Sequence, residues 1–407
     1  GRASREIEEG ETVDEENLSS CMSTTDGFLG YRRVGRGVGI RNYTVLACIS
    51  PCAEGWVRRL RLEPHERVLP SRGACTFDQR FLRDLCQLLL NPNVGAVLTL
   101  SMGCDSVGVA QLTEALVHAG MPHEHIVLAD FEEPEDFLAA ARPRLDDLRA
   151  RSVSAPELCP LPDLFLGAKC GGSDYSNGLF SNPLVHDVFD LLIAAGARCL
   201  VSEVAEYTGL EDQIRSQFTS LTEAARFEAD MQKRISQLHR RGAARSQMVE
   251  GNRKGGLTTI EEKALGSAAK FAGLPITGCL AIEPEYERPR PGQHGLFLQL
   301  GSHQEPEVFT EMALAGCVGA LFTTGRGGGF THPLVPLLVS SASHSKAIVR
   351  SRLTDIHLPT WTTRGERKRL AENYLQKILD WASGAESAVE RESLFTFSWP
   401  ERSKDNE

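Results

Sequence analysis

Apolar and polar residues alternate along the chain in blocks that predict strands and helices in succession. Continuous apolar runs, typical of strands buried on both faces, occur at residues 43–49, 94–101 and 126–130. Stretches with a helical period separate them at residues 77–90 and 105–119. This β-α-β-α-β succession predicts a first α/β domain with a mainly parallel sheet.

A second series of the same kind follows. It comprises predicted strands at 163–167, 198–202, 276–281, 296–300, 318–323 and 334–339, and predicted helices at 183–195, 209–241 and 366–382. The predicted fold class is therefore α/β, with two Rossmann-like doubly wound domains and mainly parallel sheets.

Composition suggests where the domains begin and end. Residues 142–162 contain four Pro and many charges, which predicts a linker between a first domain at 29–141 and a second at 163–385. Residues 1–28 are acidic and rich in Ser, Thr and Glu, which favours a disordered tail. Residues 386–407 are predicted to form a C-terminal tail.

Charge and cysteine usage exclude several classes of function. The 407 residues carry a net charge of −10, and residues 1–28 hold eight acidic and two basic side chains. No basic run suggests a nucleic-acid partner. No apolar run reaches the roughly 18 residues that a membrane-spanning helix needs. The 11 Cys lack tight spacing, which favours reduced thiols and a cytoplasmic protein.

The densest candidate motif is GNRKGGLTTIEEKALG at residues 251–266. Thr259 with Glu262 forms a capping-box pattern, and Thr258 with Glu261 offers a competing register. The block is therefore either a well-capped helix start or an anion site at a helix N-terminus. Its candidate residues are Asn252, Lys254, Thr258 and Thr259 for substrate binding, and Glu261, Glu262 and Lys263 for proton transfer.

A second motif, KCGGSD at residues 169–174, directly follows an apolar strand. Ligands of α/β sheets bind beyond the carboxyl ends of the strands. Cys170, Ser173 and Asp174 would supply a soft metal ligand, a hydroxyl and a carboxylate there. The alternative interpretation is a plain Gly-Gly turn.

A third motif, FTTGRGGGF at residues 322–330, also follows an apolar strand. Its glycines let the backbone close on an anion, and Arg326 can hold a carboxylate in bidentate fashion. His332 lies just beyond and is a candidate acid, base or ligand, although an exposed loop histidine is the simpler interpretation.

A fourth block, GYRRVGRGVGIRN at residues 30–42, has its glycines before a strand rather than after one. This order excludes a dinucleotide fingerprint. Arg41 and Asn42 are candidate anion-binding residues, and a solvated entry loop is an equally good interpretation.

These blocks together resemble the altronate/galactarate dehydratase family. The matching segments occur in that family's order and are GYRRVGRGVGIRNY, NPNVGAVLTLSMGC, KCGGSDYSNGLFSNP, GNRKGGLTTIEEKALG and LFTTGRGGG. The resemblance implies a lyase that removes water from a sugar acid such as altronate or galactarate and yields a 2-keto-3-deoxy acid.

The resemblance also implies a divalent metal, with Fe2+ expected and Mg2+ or Mn2+ as alternatives. Cys75 and Cys104 follow predicted strands, as Cys170 does, and the three are the candidate ligands. Spacing alone does not establish that they converge, because the chain has no C-x-x-C pair.

Two alternatives of function stay open. The large subunit of sulfolactate sulfo-lyase is similar and lacks the small N-terminal SAF-type domain, which implies a separate SAF-type small subunit as partner. Departures from the family's pattern at residues 71–74, 246–249 and 355–359 leave room for a catalytically impaired sugar-acid-binding homologue. The family also implies a homo-oligomer.

Overall fold

The fold was analysed in a computed structural model that describes residues 27–73, 78–104, 106–152, 155–240, 248–345, 352–361 and 363–401. The strands are β1 (Phe28–Arg33), β2 (Gly37–Gly39), β3 (Tyr43–Cys48), β4 (Glu66–Leu69), β5 (Val94–Ser101), β6 (His123–Val127), β7 (Glu157–Cys159), β8 (Phe165–Gly171), β9 (Arg198–Ser202), β10 (Ile276–Leu280), β11 (Gly295–Gln299), β12 (Gly319–Thr324), β13 (Leu337–Ser341) and β14 (Ile356–His357).

The helices are α1 (Pro51–Val57), α2 (Gln79–Leu89), α3 (Ser106–His118), α4 (Pro134–Ser152), α5 (Asn182–Ala194), α6 (Glu211–Arg215), α7 (Leu221–Arg240), α8 (Glu250–Lys254), α9 (Ile260–Ala268), α10 (Glu305–Ala315), α11 (Arg364–Ala382) and α12 (Ala388–Arg391). Within the described ranges, no helix is both long enough and apolar enough to cross a membrane.

Two parallel sheets organise the chain, which confirms the predicted α/β class. The first has the order β4-β3-β5-β6, and the second has the order β10-β11-β9-β8-β12-β13-β14. Each described pair of neighbours in these two sheets runs parallel. In the second sheet β9, β11 and β10 lie on one side of β8, with β11 between the other two, and the chain then continues on the opposite side of β8 with β12. The direction in which strands are added therefore reverses between β8 and β12.

The central strand β8 is longer than the sequence suggested. It begins at Phe165, after a short 3-10 turn, and continues through Lys169 and Cys170 to Gly171, with all seven residues buried. The sequence placed Lys169 and Cys170 in a turn because a lysine seldom occurs inside a buried strand. This difference matters for the site, since a strand fixes these two side chains more rigidly than a turn does.

A small antiparallel sheet, β2-β1-β7, was not predicted. Its strands have three to six residues, and β1 and β2 contain Gly, so none of them shows the long apolar alternation that marks a strand. Phe28 of β1 is buried in the core, and the rest of the predicted acidic tail, residues 1–26, lies outside the described residues.

Other predicted boundaries also differ from the structure. Residues 142–152, predicted as linker, are the second half of α4, which accommodates Pro143 in its interior. Residues 386–401, predicted as tail, pack on the body: α12 buries Val389, and Thr331 bridges to Phe395. The predicted strand at 334–339 begins only at Leu337, because Pro333 and Pro336 have no N–H for a ladder.

The two parallel sheets share one apolar core. Val45 and Val97 from the first sheet lie in the same buried cluster as Phe165, Phe297 and Phe322 from the second. Helix α10 contributes buried side chains to this cluster along most of its length. This shared core supports the carboxyl ends of the strands of the second sheet.

Candidate functional site

A cavity of about 650 Å³ opens where β8 and β12 end side by side. Cys170 pairs with Thr323, and Gly171 pairs with Thr324, so the loops that follow the two strands meet. A crevice is expected at this position, because adjacent loops diverge where the strand order of an open parallel sheet reverses. The end of β9 and helices α8 and α9 complete the wall.

The cavity floor is a buried triplet of charges. Glu203 bridges Lys169 through Oε2 and Lys263 through Oε1, the latter at 3.1 Å. The three side chains are 3%, 2% and 8% exposed, respectively. Burial disfavours the ammonium form of Lys169, but the charge of Glu203 outweighs burial and the pKa of Lys169 is raised.

The carboxylate of Glu203 stays ionised for the reciprocal reason. Burial acts to raise its pKa, but the charges of Lys169 and Lys263 outweigh this effect, and the pKa of Glu203 is lowered. The triplet therefore carries a net positive charge. Such a floor attracts an anionic ligand in a crevice where water screens charges weakly.

A second buried network lies directly behind the floor. Lys270 donates to Glu206 at 3.0 Å and to the sulfur of Cys170 at 3.4 Å, and both charged side chains are 0% exposed. Ser267 lies 3.0 Å from the same sulfur. Burial acts against the charge of Lys270, but the neighbouring Cys170 and Glu206 outweigh it and raise its pKa.

Three polar side chains line the mouth of the cavity: Arg326, Asn252 and Glu305. The guanidinium of Arg326 is exposed and lies against Gly251, where any Cβ would overlap Nη1. Asn252 of α8 lies beside it on the cavity wall. Glu305, at the start of α10, lies against Gly171, where a Cβ would overlap Oε1. Within the described chain, no Lys or Arg forms an ion pair with Glu305.

The structure brings together five of the predicted site residues on this one cavity wall: Cys170, Ser173, Asn252, Lys263 and Arg326. They come from the three separate blocks at 169–174, 251–266 and 322–330. The expectation that these distant Gly-containing segments meet therefore corresponds to the geometry. Their individual roles stay predictions.

The other predicted residues of the 251–266 block lie off the wall. Thr259 accepts from the N–H of Glu262 as the N-cap of α9, and the carboxylate of Glu262 accepts from Thr258 at 2.7 Å. These hydrogen bonds lower the pKa of Glu262 and occupy it as a cap. Lys254 and Glu261 are exposed and line no part of the cavity.

Asp174 lies next to the cavity but not on its wall. Its carboxylate accepts from the backbone and hydroxyl of Ser176 at 2.9 and 2.6 Å, and it lies against Gly325, where a Cβ would overlap it. It therefore supports the turn after β8 and the adjoining loop of residues 322–330.

Arg41 and Asn42 lie elsewhere in the molecule and hold its parts together. Arg41 is buried and forms two hydrogen bonds of 2.9 Å with the carboxylate of Glu390. Asn42 accepts from Arg33 at 2.5 Å and donates to the carbonyl of Ser152 at 3.3 Å. Their placement in a substrate site is thus corrected, because each polar group already has a protein partner.

His332 is likewise away from the cavity, and it is buried rather than exposed in a loop. Its Nδ1 accepts from the N–H groups of Leu334 and Val335, and its Nε2 lies 3.1 Å from the hydroxyl of Thr310. Burial lowers the pKa of His332 to about 3. The neutral ring fixes the conformation of the backbone around it. It does not line the cavity and is therefore not placed to transfer protons there.

The predicted metal ligands are divided. Cys170 is in the second sheet. Cys104 is exposed in the segment that follows β5 of the first sheet, and Cys75 lies outside the described residues. Across the ranges that the structure covers, no three His, Cys, Asp or Glu side chains are grouped to hold a metal ion. The sulfur of Cys170 already faces the ammonium of Lys270, which would repel a divalent cation. The described residues therefore do not fit the metal, and no step below uses it.

Sequence reasoning missed Lys169, Glu203, Glu206, Lys270 and Glu305. A signal existed for the first, since a lysine in an otherwise apolar strand needs a buried counter-charge. Its partner Glu203 directly follows β9, and Lys169 lies two residues before the end of the neighbouring β8, so both lie at the same sheet edge. Pairing of the two was not readable, because 34 positions separate them.

Two family models match the chain. "D-galactarate dehydratase/Altronate hydrolase, second domain" covers residues 30–151, and "D-galactarate/Altronate dehydratase, C-terminal" covers residues 161–399. The second match alone spans more than half of the chain. The chain therefore belongs to the D-galactarate/altronate dehydratase family, and it is an enzyme of the lyase class.

Curated relatives are similar over most of the chain. The (2R)-sulfolactate sulfo-lyase subunit beta of Chromohalobacter salexigens is 28% identical over 385 residues, which are 91% of this chain and 97% of the relative. Altronate dehydratase of Bacillus subtilis is 30% identical over 324 residues, covering 74% and 63%. Altronate dehydratase of Escherichia coli is 26% identical over 388 residues, covering 89% and 75%.

Proposed function

We propose that the chain is a hydro-lyase that removes water from a sugar acid such as altronate or galactarate and forms a 2-keto-3-deoxy acid. The observation that carries this proposal is the convergence of Lys169, Lys263 and Arg326 on one cavity at the reversal point of the sheet. Family membership supplies the reaction class, and the cations suit the charge that such a reaction develops.

In this reaction the proton on C2 is removed, and the electron pair left behind forms the C2=C3 bond as the C3 hydroxyl leaves with a proton as water. The resulting enol takes a proton at C3 and becomes the 2-keto acid. The first step places negative charge on the carboxylate, in the form of an enediolate. Preorganised cations at that position lower the barrier because they interact more strongly with the enediolate than with the substrate.

The cavity offers a group for each requirement. Arg326 and Asn252 bind the substrate carboxylate at the mouth, and the ammonium groups of Lys169 and Lys263 face the developing enediolate. Glu305 is the proposed proton acceptor, because it lines the cavity and forms no ion pair with a described Lys or Arg. Its charge acts on Lys169 from a distance and helps to raise the pKa of that ammonium group. Lys169 does not act as the base, since its raised pKa keeps it protonated.

The test is 2-keto acid formation from altronate and galactarate by the purified full chain, under anaerobic conditions, with and without Fe2+. Arg326→Ala should lower kcat/KM by about tenfold or more, because it removes a charge-assisted hydrogen bond to the carboxylate. Its melting temperature should stay within a degree or two of the parent, since Arg326 is exposed and forms no ion pair with another described residue. Wild-type turnover of neither acid would contradict the proposal.

A second candidate is release of sulfite from a sulfonated hydroxy acid, in which a C–S bond breaks in place of the C–O bond. It is favoured by the relative of nearly equal length, the sulfo-lyase subunit beta, which the chain covers to 97%. Sulfite appearing from sulfolactate, without turnover of the sugar acids, would select this candidate over the first.

The same relative is named as a subunit, and this supports a multi-subunit enzyme. We propose a separate small subunit of the SAF type as partner, a homo-oligomeric assembly of this chain, and a cytoplasmic location. The described cysteines are all free thiols, which fits a reducing compartment. Each assay above is therefore run with and without a supplied small subunit.

A further inference from the structure

Glu203 lies between two lysines that come from different parts of the fold. Lys169 is on β8 and Lys263 is on α9, and the two carboxylate oxygens of Glu203 take one ammonium group each. The separation of the two ammonium groups is therefore set by the distance between the oxygens of one carboxylate. All three side chains line the cavity.

The backbone of Glu203 is strained at the point where its side chain forms this bridge. Its φ is 126° and its ψ is 117°, a conformation that an L residue with a side chain rarely adopts. Strained residues of this kind persist where the surrounding structure fixes them, and they cluster at functional sites. A residue that only filled space would have relaxed toward an allowed conformation.

We propose that Glu203 is a positioning residue that holds Lys169 and Lys263 as a two-pronged cation fork for the enediolate that develops from the substrate carboxylate. This inference rests on the proposed function and adds to it the device that recognises the reacting carboxylate. Each ammonium group has three N–H donors. One donor of each serves Glu203, and a second donor of Lys169 serves the carbonyl of Cys170 at 3.4 Å, so one donor of Lys169 and two of Lys263 remain for a ligand. A ligand carboxylate can thus bind across the fork as a mirror image of Glu203.

Glu203 itself does not exchange a proton with the ligand. Two cations flank its carboxylate, and its lowered pKa makes it a weak base. Without it, the two ammonium groups would repel each other in a buried setting and move apart. Removing Glu203 should therefore disturb the geometry of catalysis more than the affinity for substrate.

Glu203→Gly is the informative variant, because glycine accepts the positive φ and leaves a carboxylate-sized hole open to the cavity. We expect kcat to fall by about 100-fold with a smaller change in KM, as for loss of a preorganised electrostatic group. Added formate should restore about tenfold of the lost kcat by rebinding between the lysines. Glu203→Gln, which keeps the shape without the charge, should be inactive and unresponsive to formate.

Glu390→Gln is the matched control, since Glu390 is also a buried carboxylate in an ion pair but lies away from the cavity. It should lower the melting temperature, leave kcat of the folded enzyme unchanged and show no response to formate. Unchanged kcat in both Glu203 variants would overturn the proposal. So would a loss of kcat in Glu203→Gly without any formate response, provided that the variant melts cooperatively.

Binding of oxalate, a planar mimic of the enediolate, gives a readout that does not need turnover. Calorimetry should show oxalate binding to the wild type and at least about tenfold weaker binding to Glu203→Gly and Lys263→Met. If the wild type turns over no acid but binds oxalate in this Glu203-dependent way, the fork stands and the proposed reaction fails. If turnover occurs and Glu203 variants bind oxalate normally, the reaction stands and the fork fails.

Discussion

At the scale of single residues, His332 shows how a chemically versatile side chain can serve the fold. Its Nδ1 accepts from two backbone N–H groups, so the hydrogen of the neutral ring is on Nε2, which donates to Thr310. A proton on Nδ1 would face those two donors. Burial lowers the pKa of His332 to about 3. The ring therefore remains neutral in the folded chain over most of the acidic range.

This arrangement predicts a defined contribution to acid stability. The unfolded chain binds a proton on His332 below its ordinary pKa of 6.5, while the folded chain does so only near 3. The contribution is therefore complete above pH 6.5 and is lost as the pH falls from there toward 3. Urea unfolding of the wild type and His332→Ala across this range should show a shallower pH dependence in the variant.

At pH 7 the same variant should be less stable by about 2 to 4 kcal/mol, because two buried N–H groups lose their acceptor and a cavity forms. The kcat of the folded fraction should be unchanged, since the ring is away from the cavity. A large fall in kcat at full folding would instead return His332 to the catalytic machinery.

At the scale of elements, the strands that could be predicted from the sequence are those marked by one strong local pattern. Continuous apolar runs located β3, β5, β9 and β12 to within a residue or two. The sheet β2-β1-β7 and helix α4, which has Pro143 in its interior, were not predicted, because tertiary packing there overrides weak or contrary local propensity.

The residues of the candidate site also fall into those with a local sequence signal and those that depend on tertiary packing. Arg326 was predicted because a Gly-rich loop follows an apolar strand. Lys263 was predicted because it lies in the motif at residues 251–266, which was interpreted as a helix start able to bind an anion. The bridge from Glu203 to Lys169 depends on which strands become neighbours, and the pairing of β8 with β9 is a property of the whole sheet. Arg41 was wrongly predicted to bind the substrate, because its counter-charge Glu390 is distant in the sequence and could not be recognised as its partner.

The close packing of β8 against α10 supplies a prediction at this scale. A Cβ at Gly171 would overlap Glu305 Oε1 and come within 2.7 Å of the Phe322 ring. Gly171→Ala should therefore displace the proposed base, lower kcat by about tenfold or more and cost about 1 to 3 kcal/mol of stability. Steady-state kinetics and thermal melting measure both effects.

Gly329 is the matched control, because it also lines the cavity but has open space where a Cβ would point. Gly329→Ala should leave kcat and the melting temperature close to those of the wild type. Equal behaviour of the two alanine variants would show that the position of Glu305 does not matter for turnover.

At the scale of the whole molecule, the C-terminal segment joins the two parallel sheets. Arg41, just before β3, meets Glu390 on α12, and Tyr43 and Trp381 donate to the same carboxylate at 3.2 and 3.3 Å. Val389 beside it is buried in the shared core. Residues 386–401 are thus a structural part of the enzyme rather than an appendage.

Deletion of residues 386–407 should therefore destabilise the chain strongly. It leaves the buried Arg41 without a counter-charge, a loss of about 3 to 5 kcal/mol by itself, and also removes the apolar contacts of α12. Thermal melting should show a large decrease or no cooperative transition. A truncated chain that melts like the full one would contradict this account of the segment.

The ion pair between Arg41 and Glu390 also has a consequence for biosynthesis. The two residues are 349 positions apart, and a ribosome adding about 5 to 20 residues per second needs roughly 20 to 70 s to make the intervening chain. Throughout that interval the nascent chain contains Arg41 without the carboxylate that pairs with it in the folded protein. The core around Arg41 is thus completed only after Glu390 has been synthesised, and a product terminated before Glu390 keeps Arg41 without its counter-charge.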